Sequence, residues 1–155
     1  MNRKVAIALA VGALLVAGAV AVDAGLVGPE YERTTVAIED DETNETLATA
    51  DARVADSAYK RYVGLSHTDS LGPNEGMLFV HEEPGEYAYV MRDMAFAIDI
   101  VFVAPNGTIT EIHTAEPEER PFTKYEGTGL YVLEVRAGFA DDRGIEPGDR
   151  VEFEL

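Results

Sequence analysis

The 155-residue sequence contains no cysteine. Thiol catalysis, thiolate metal sites and disulfide staples are therefore all excluded. Serine is scarce: Ser57, Ser66 and Ser70 are the whole supply, and none sits in a Gly-x-Ser-x-Gly elbow. No glycine-rich phosphate loop opens a helix. The three histidines, His67, His81 and His113, never fall into a spacing such as His-x₃-His, so they read as surface or hydrogen-bonded residues rather than metal ligands. The acidic run Glu116 to Glu119 does not match an EF-hand loop. The sequence gives no reason to expect a metal or an organic cofactor.

Positive charge is also in short supply. Lys4, Lys60 and Lys124 are the only lysines, and 12 basic residues stand against 29 acidic ones. Two of the basic residues, Arg3 and Lys4, precede the apolar leader, so from residue 5 onward ten face 29, a net charge of −19. Such a field opposes nucleic acid, whose binding requires a basic face. At low salt it also repels itself and weakens the compact state. Molar salt shortens the Debye length to about 3 Å and screens that repulsion. An acidic, lysine-poor surface points to a protein of halophilic type; an ordinary acidic secreted protein is the alternative.

Val5 to Val22 is an uncharged apolar run of eighteen residues. About 20 residues span a bilayer as a helix, whereas signal-peptide cores run about 7–15. Arg3 and Lys4 ahead of the run keep the N-terminus inside and put the rest of the chain outside. A transmembrane anchor over 1–28 is the first reading; a signal peptide cleaved near Ala19-Val20-Ala21 is the second. The sequons at Asn44 and Asn106 agree with export. Residues 29–46 read as an acidic tether with one short strand over Thr34–Ile38, and residues 47–155 as one compact domain. The partners expected are the membrane, through the leader, and a small ligand or an envelope protein.

The compact part alternates with period two. Strands are predicted over Thr46–Val54, Met77–Val80, Tyr87–Arg92, Ile98–Val103, Thr108–Thr114, Leu130–Arg136 and Val151–Leu155. Asn106-Gly107 between two β-branched runs is a strong hairpin signal. Asp56 or Ser57 caps a short helix that Gly64 ends, and Gly138–Arg143 forms a helical turn. Ala115–Gly129 reads as a long acidic loop, a candidate lid. The fold class predicted is mainly β: one antiparallel sandwich or barrel with one or two short helices.

Three charges end otherwise apolar stripes: Arg92 beside Ala88 and Val90, Asp99 beside Val101 and Val103, Glu134 beside Leu130 and Val132. An ionised group on a core face needs a partner, because desolvation costs several kcal/mol. One reading is a polar mouth where Arg92 holds an anion and Asp99 and Glu134 act as acid–base groups. The other is a structural ion pair of Arg92 with Asp99 that fixes register. Tyr59, Tyr62, Tyr87, Tyr89, Tyr125 and Tyr131 either line a shallow binding surface or simply pack the sheet.

Six segments occur in a telling order: Arg61-Tyr62-Val63-Gly64-Leu65, Glu75-Gly76-Met77-Leu78-Phe79, Tyr89 to Met94, Ile98-Asp99-Ile100, Tyr131 to Val135 and Gly144 to Asp149. Together they resemble the uncharacterised family of domain of unknown function 192, over about residues 48–155. The resemblance implies a compact β-rich fold, commonly behind a signal or anchor, with no agreed activity or cofactor. This chain departs from the family's usual pattern at Tyr89-Val90, where phenylalanine and tryptophan are typical. It departs again at Asp93-Met94, in place of Asn-Thr, and at Ala97, in place of proline. The functional expectation is a membrane-tethered, extracytoplasmic binding or accessory module of the envelope. The alternative is an envelope hydrolase using the carboxylates of Asp99 and Glu134.

Screening of this acidic surface predicts that the thermal midpoint rises by several degrees between about 0.1 M and about 2 M KCl. A midpoint that stays level or falls across the titration would count against a stability limited by self-repulsion.

Overall fold

The computed structural model describes residues 28–155, so the predicted anchor or signal segment lies almost wholly outside the described residues. Among the described residues no helix is long and apolar enough to cross a membrane. Seven strands form one sheet: β1 (Arg33–Glu39), β2 (Thr46–Ala55), β3 (Glu75–Tyr89), β4 (Ile98–Val103), β5 (Ile109–Ala115), β6 (Tyr125–Arg136) and β7 (Arg150–Glu152). Two short helices interrupt them, α1 (Ala58–Val63) and α2 (Phe139–Arg143). The strand order is β5-β4-β6-β3-β2-β1-β7.

The sheet is antiparallel except where β2 runs parallel to β3. A parallel pair needs a crossover, and the segment carrying α1 supplies it. The expected all-antiparallel sheet is corrected at this one pair. The two edge strands meet: Thr108 bridges Arg150, and Val151 N–H donates to the Gly107 carbonyl at 2.7 Å. The sheet thus curls until its edges touch, which leaves less free edge to pair with other chains.

Two apolar clusters arise from the two faces. Val36, Ala50, Leu78, Val101, Ile109, Leu133 and Val151 form one cluster. Because residues from both edge strands belong to it, it fills the inside of the curl. Met77, Phe79, Ile100, Phe102 and Val132 face outward and are covered by Leu65, Leu71 and Met91 from the connecting segments. Every residue of β4 is buried, as expected of a strand packed on both faces.

Several expectations shift. Val36 and Ile38 are fully buried and β1 pairs with both β2 and β7, so most of the segment expected as a tether is structural. The break expected between the strands Met77–Val80 and Tyr87–Arg92 is instead an irregularity within β3, which re-pairs with β6 from Gly85 to Tyr89. Its partners Tyr125–Gly129 are strand, which shortens the candidate lid to residues 116–124. The hairpin at Asn106-Gly107 forms as expected, with Gly107 at φ +90°.

Gly127 and Gly129 let β4 lie close over β6. A Cβ on Gly127 would run into the Phe102 ring, and one on Gly129 would sit 2.5 Å from the Val103 carbonyl oxygen. Backbone cannot yield as a side-chain tip can, so Gly129→Ala is expected to lose about 3 kcal/mol or more in urea unfolding. Gly85→Ala, where the nearest atoms lie at 3.6 Å, is expected to stay within about 1 kcal/mol of wild type. Equal losses in the two variants would refute the crowding argument.

Candidate functional site

Asp99 lies opposite Val135 in the β4–β6 register and opposite Thr114 in the β4–β5 register. Residues directly opposite share a face, so Asp99 points with Val135 into the curl. Its carboxylate accepts from Thr114 Oγ1 at 2.7 Å and from the Ala140 amide at 3.0 Å. Gly138 at the start of α2 offers no side-chain cap. Asp99 therefore meets one of the unpaired N–H groups of the first turn of α2 from a distant strand. It is 1% exposed, and both of its oxygens are engaged by the fold.

Arg92 does not reach Asp99. The chain turns at Asp93, which has φ +54°, and the Ala88–Val90–Arg92 face is open to solvent rather than apolar core. The Arg92 guanidinium stacks on the Tyr62 ring at 4.0 Å and donates to the Tyr62 carbonyl at 2.6 Å. The ion pair expected between Arg92 and Asp99 is replaced by this arginine–tyrosine contact.

Glu134 is one residue from Val135 and so points to the opposite face. There it lies opposite Met77 on β3 and Ile100 on β4. Asp99 and Glu134 are consequently on opposite sides of one sheet and cannot flank a common bond. The three charges expected at one mouth are in three places.

The surroundings of Glu134 are more informative. The residue is 6% exposed, and no donor or cation of the described residues engages its carboxyl. Burial alone pushes it up to about 8, which keeps it mostly protonated at neutral pH. Its oxygens are not sealed in, since Tyr31 Oη is the one fully enclosed side-chain atom without a partner among the described residues. The Tyr89 ring packs edge-on against Phe79 at 5.2 Å and Phe102 at 5.8 Å. Its hydroxyl lies 2.8 Å from His81 Nε2. Burial, and then the charge of Glu134, raise Tyr89 far above the usual phenol range. His81 stacks on Tyr87 with centroids 3.5 Å apart. Burial and then Arg61 hold its imidazole down at about 4, so it is neutral at ordinary pH. Arg61 is itself mostly covered and donates to the Val80 carbonyl at 2.8 Å, with only a remote 3.9 Å approach to Glu82.

Glu134, Tyr89, His81 and Arg61 thus form a polar string on the outer face, with Tyr89 and His81 in direct contact and Glu134 and Arg61 close enough at either end to act on them electrostatically. It offers hydrogen bonds from a neutral acid, a phenol, a neutral imidazole and a guanidinium. The sequence reading put Glu134 beside Leu130 and Val132, at one mouth with Asp99, and left His81 as a scattered histidine. The irregularity in β3 is what folds His81 back to Tyr89, eight residues on. Among the described residues no group of His, Asp and Glu is arranged to hold a metal.

The architecture defines a class before it defines a family: a small, mainly β domain with a curled seven-stranded sheet and one buried, unpartnered carboxyl on its outer face. The chain belongs to the family of domain of unknown function 192, described as an uncharacterized ACR, which matches residues 38–153. No curated protein matches it. Two solved structures share the fold. A protein from Sinorhizobium meliloti described as a candidate transcription regulator is 28% identical with TM-score 0.74, over 82% of this chain and 98% of its own. A protein of unknown function from Novosphingobium aromaticivorans is 27% identical with TM-score 0.70, over 81% and 93%.

The raised pKa of Glu134 makes stability depend on pH in one direction. Below about pH 4.5 the carboxyl is neutral in both the folded and the unfolded chain. As pH rises toward 8 the unfolded chain releases the proton while the folded one keeps it, and stability is lost across that window. Glu134→Gln has no proton to lose. It is expected to match wild type near pH 4 and to exceed it by roughly 3–5 kcal/mol by pH 9 in chemical denaturation. A difference that does not change with pH would remove the buried-acid assignment.

Proposed function

We propose that the chain is an accessory module of the cell envelope, tethered outside the membrane by its apolar leader, that binds a small molecule at the Glu134–Tyr89–His81–Arg61 string. The observation that carries this reading is Glu134 itself. A carboxyl 6% exposed without a partner among the described residues is costly to keep. A ligand head that hydrogen-bonds it offsets that cost. The partly exposed rings of Tyr87 and Tyr89, packed over the same cluster, suit an apolar body. The ligand class is therefore a small, largely apolar molecule with one polar head.

Asp99 and Arg92 serve this reading as supports, the first for α2 and the second for the chain beside α1. A hydrolase using paired carboxylates needs both within about 5–10 Å across one substrate, and no observation favours it here. The description of the Sinorhizobium relative as a candidate regulator of transcription is not carried over, because a net charge of −19 beyond residue 4 repels nucleic acid. The same charge supports a halophilic setting for the module.

Purified from its own membranes, the full chain is expected to carry a small-molecule adduct in native mass spectrometry, and Glu134→Gln to lose most of it. A wild-type chain of bare mass, or an adduct indifferent to the substitution, would overturn the reading.

A further inference from the structure

In β1 and β2, Val36, Ala50 and Ala52 point into the curl. Alternation therefore turns Arg33 and Arg53 to the outer face, and the register sets them directly opposite each other. Like charges so placed are destabilising. In a chain with 29 acidic residues against 12 basic, such a pair needs a physical reason. Asp51 answers the first arginine alone, taking Arg33 Nε at 3.0 Å and Nη2 at 2.8 Å. Arg53 forms no ion pair among the described residues. Its Nη2 donates to Thr68 Oγ1 at 3.0 Å, which occupies one of several N–H groups that a guanidinium offers. Burial, more than any neighbour, lowers its pKa. The water it has lost is only partly replaced.

Arg53 lines a cleft of about 340 Å³ together with Arg33, His67, Thr68 and Ser70. Thr68 Oγ1 accepts from Arg53, so its own proton is free for another acceptor. Ser70 brings a second hydroxyl and His67 a ring nitrogen. Glu75 is the one carboxylate of this lining, and its Oε2 already accepts from the Gly72 amide at 3.1 Å. Donors thus converge from β1, from β2 and from the segment after α1. The cleft is separate from the Glu134 string, because the fully buried Met77 lies opposite Arg53 on one side and Glu134 on the other.

We infer that this cleft is a binding site for a small phosphoryl group, held by Arg53 and Arg33 with Thr68, Ser70 and His67 around it. An arriving oxyanion offsets the repulsion between the two guanidiniums and replaces the hydrogen bonds that Arg53 lacks. Guanidinium–phosphate bonds are charge-assisted and frequently bidentate. A carboxylate presents its oxygens in one plane, whereas a phosphoryl group presents them tetrahedrally, which suits donors from two strands and a loop. The acidic remainder of the chain opposes an anion only within the Debye length, about 8 Å at about 0.15 M salt. Close to the cleft the local donors decide.

The full chain in detergent micelles is titrated calorimetrically with inorganic phosphate, methyl phosphate and acetate at constant ionic strength. Wild type is expected to take up about one phosphate per chain, and Arg53→Gln to weaken that binding about tenfold or more. Phosphate is expected to raise the thermal midpoint of wild type and not that of Arg53→Gln. Arg33→Gln, at an exposed position, is expected to weaken binding too, because it frees Asp51 to turn to Arg53. Should Arg53→Gln not fold, the Arg33→Gln titration decides alone. A wild type that takes up no phosphate, or binding unchanged in either folded variant, overturns the site. Acetate bound as tightly as phosphate overturns the phosphoryl assignment. Methyl phosphate bound at least as well as inorganic phosphate supports the site with an ester as its ligand; inorganic phosphate bound more tightly supports it with the free ion.

Discussion

A sheet buried on both faces leaves a charged side chain no dry side and no wet side to choose between. In β4 and the second half of β6 nearly every residue is inside, whichever way it points. Each carboxyl in these strands must therefore be answered by the fold, be neutralised, or be reserved for something that arrives. The two carboxyls here are handled differently. Asp99 receives a hydroxyl and a backbone amide, and these hydrogen bonds tie the first turn of α2 to the inner core. Glu134 receives neither, and burial keeps its proton on. The contrast between two acids on adjacent strands separates a structural residue from one left open.

This contrast explains how far the sequence could be read. Alternation along a strand is local, so the apolar faces of Ile98–Val103 and Tyr131–Val135 were legible, and so were the charges interrupting them. The Asn106-Gly107 hairpin and the Ser57-capped α1 were legible for the same reason, since turn and cap chemistry needs only neighbouring residues. Whether Asp99 and Glu134 meet depends on register between strands. A slip of one residue moves a side chain to the other face, and nothing local to either strand reports it. The pairing of Asp99 with Val135, rather than Glu134, is the whole difference between a carboxylate pair and two unrelated acids.

Longer-range features were hidden in the same way. The parallel β2–β3 pair depends on the path of the segment carrying α1, and that path is settled by where Leu65 and Leu71 find apolar cover. The irregularity after Val80 has no single signature residue, yet it brings His81 to Tyr89 and so completes the polar string. Residues 33–39 looked like part of a tether because acidic residues crowd their end. Val36 and Ile38 nevertheless carry enough apolar surface to hold β1 between β2 and β7. The six family segments, by contrast, needed no geometry. They were visible as order along the chain, and the family matches residues 38–153.

Helix α1 is tied to the polar groups of the outer face through Arg61. Six residues are too few for a helix to be stable alone, so its geometry is borrowed from what it touches. Ser57 caps one end and Gly64 closes the other. Arg61 reaches inward to the Val80 carbonyl, while Tyr62 faces out and receives Arg92. Arg61 is also the charge that, after burial, holds His81 neutral. Any force that shifts α1 from outside must move Arg61, and with it the electrostatics around His81 and Tyr89. The same guanidinium thus holds α1 from inside and sets the charge around His81.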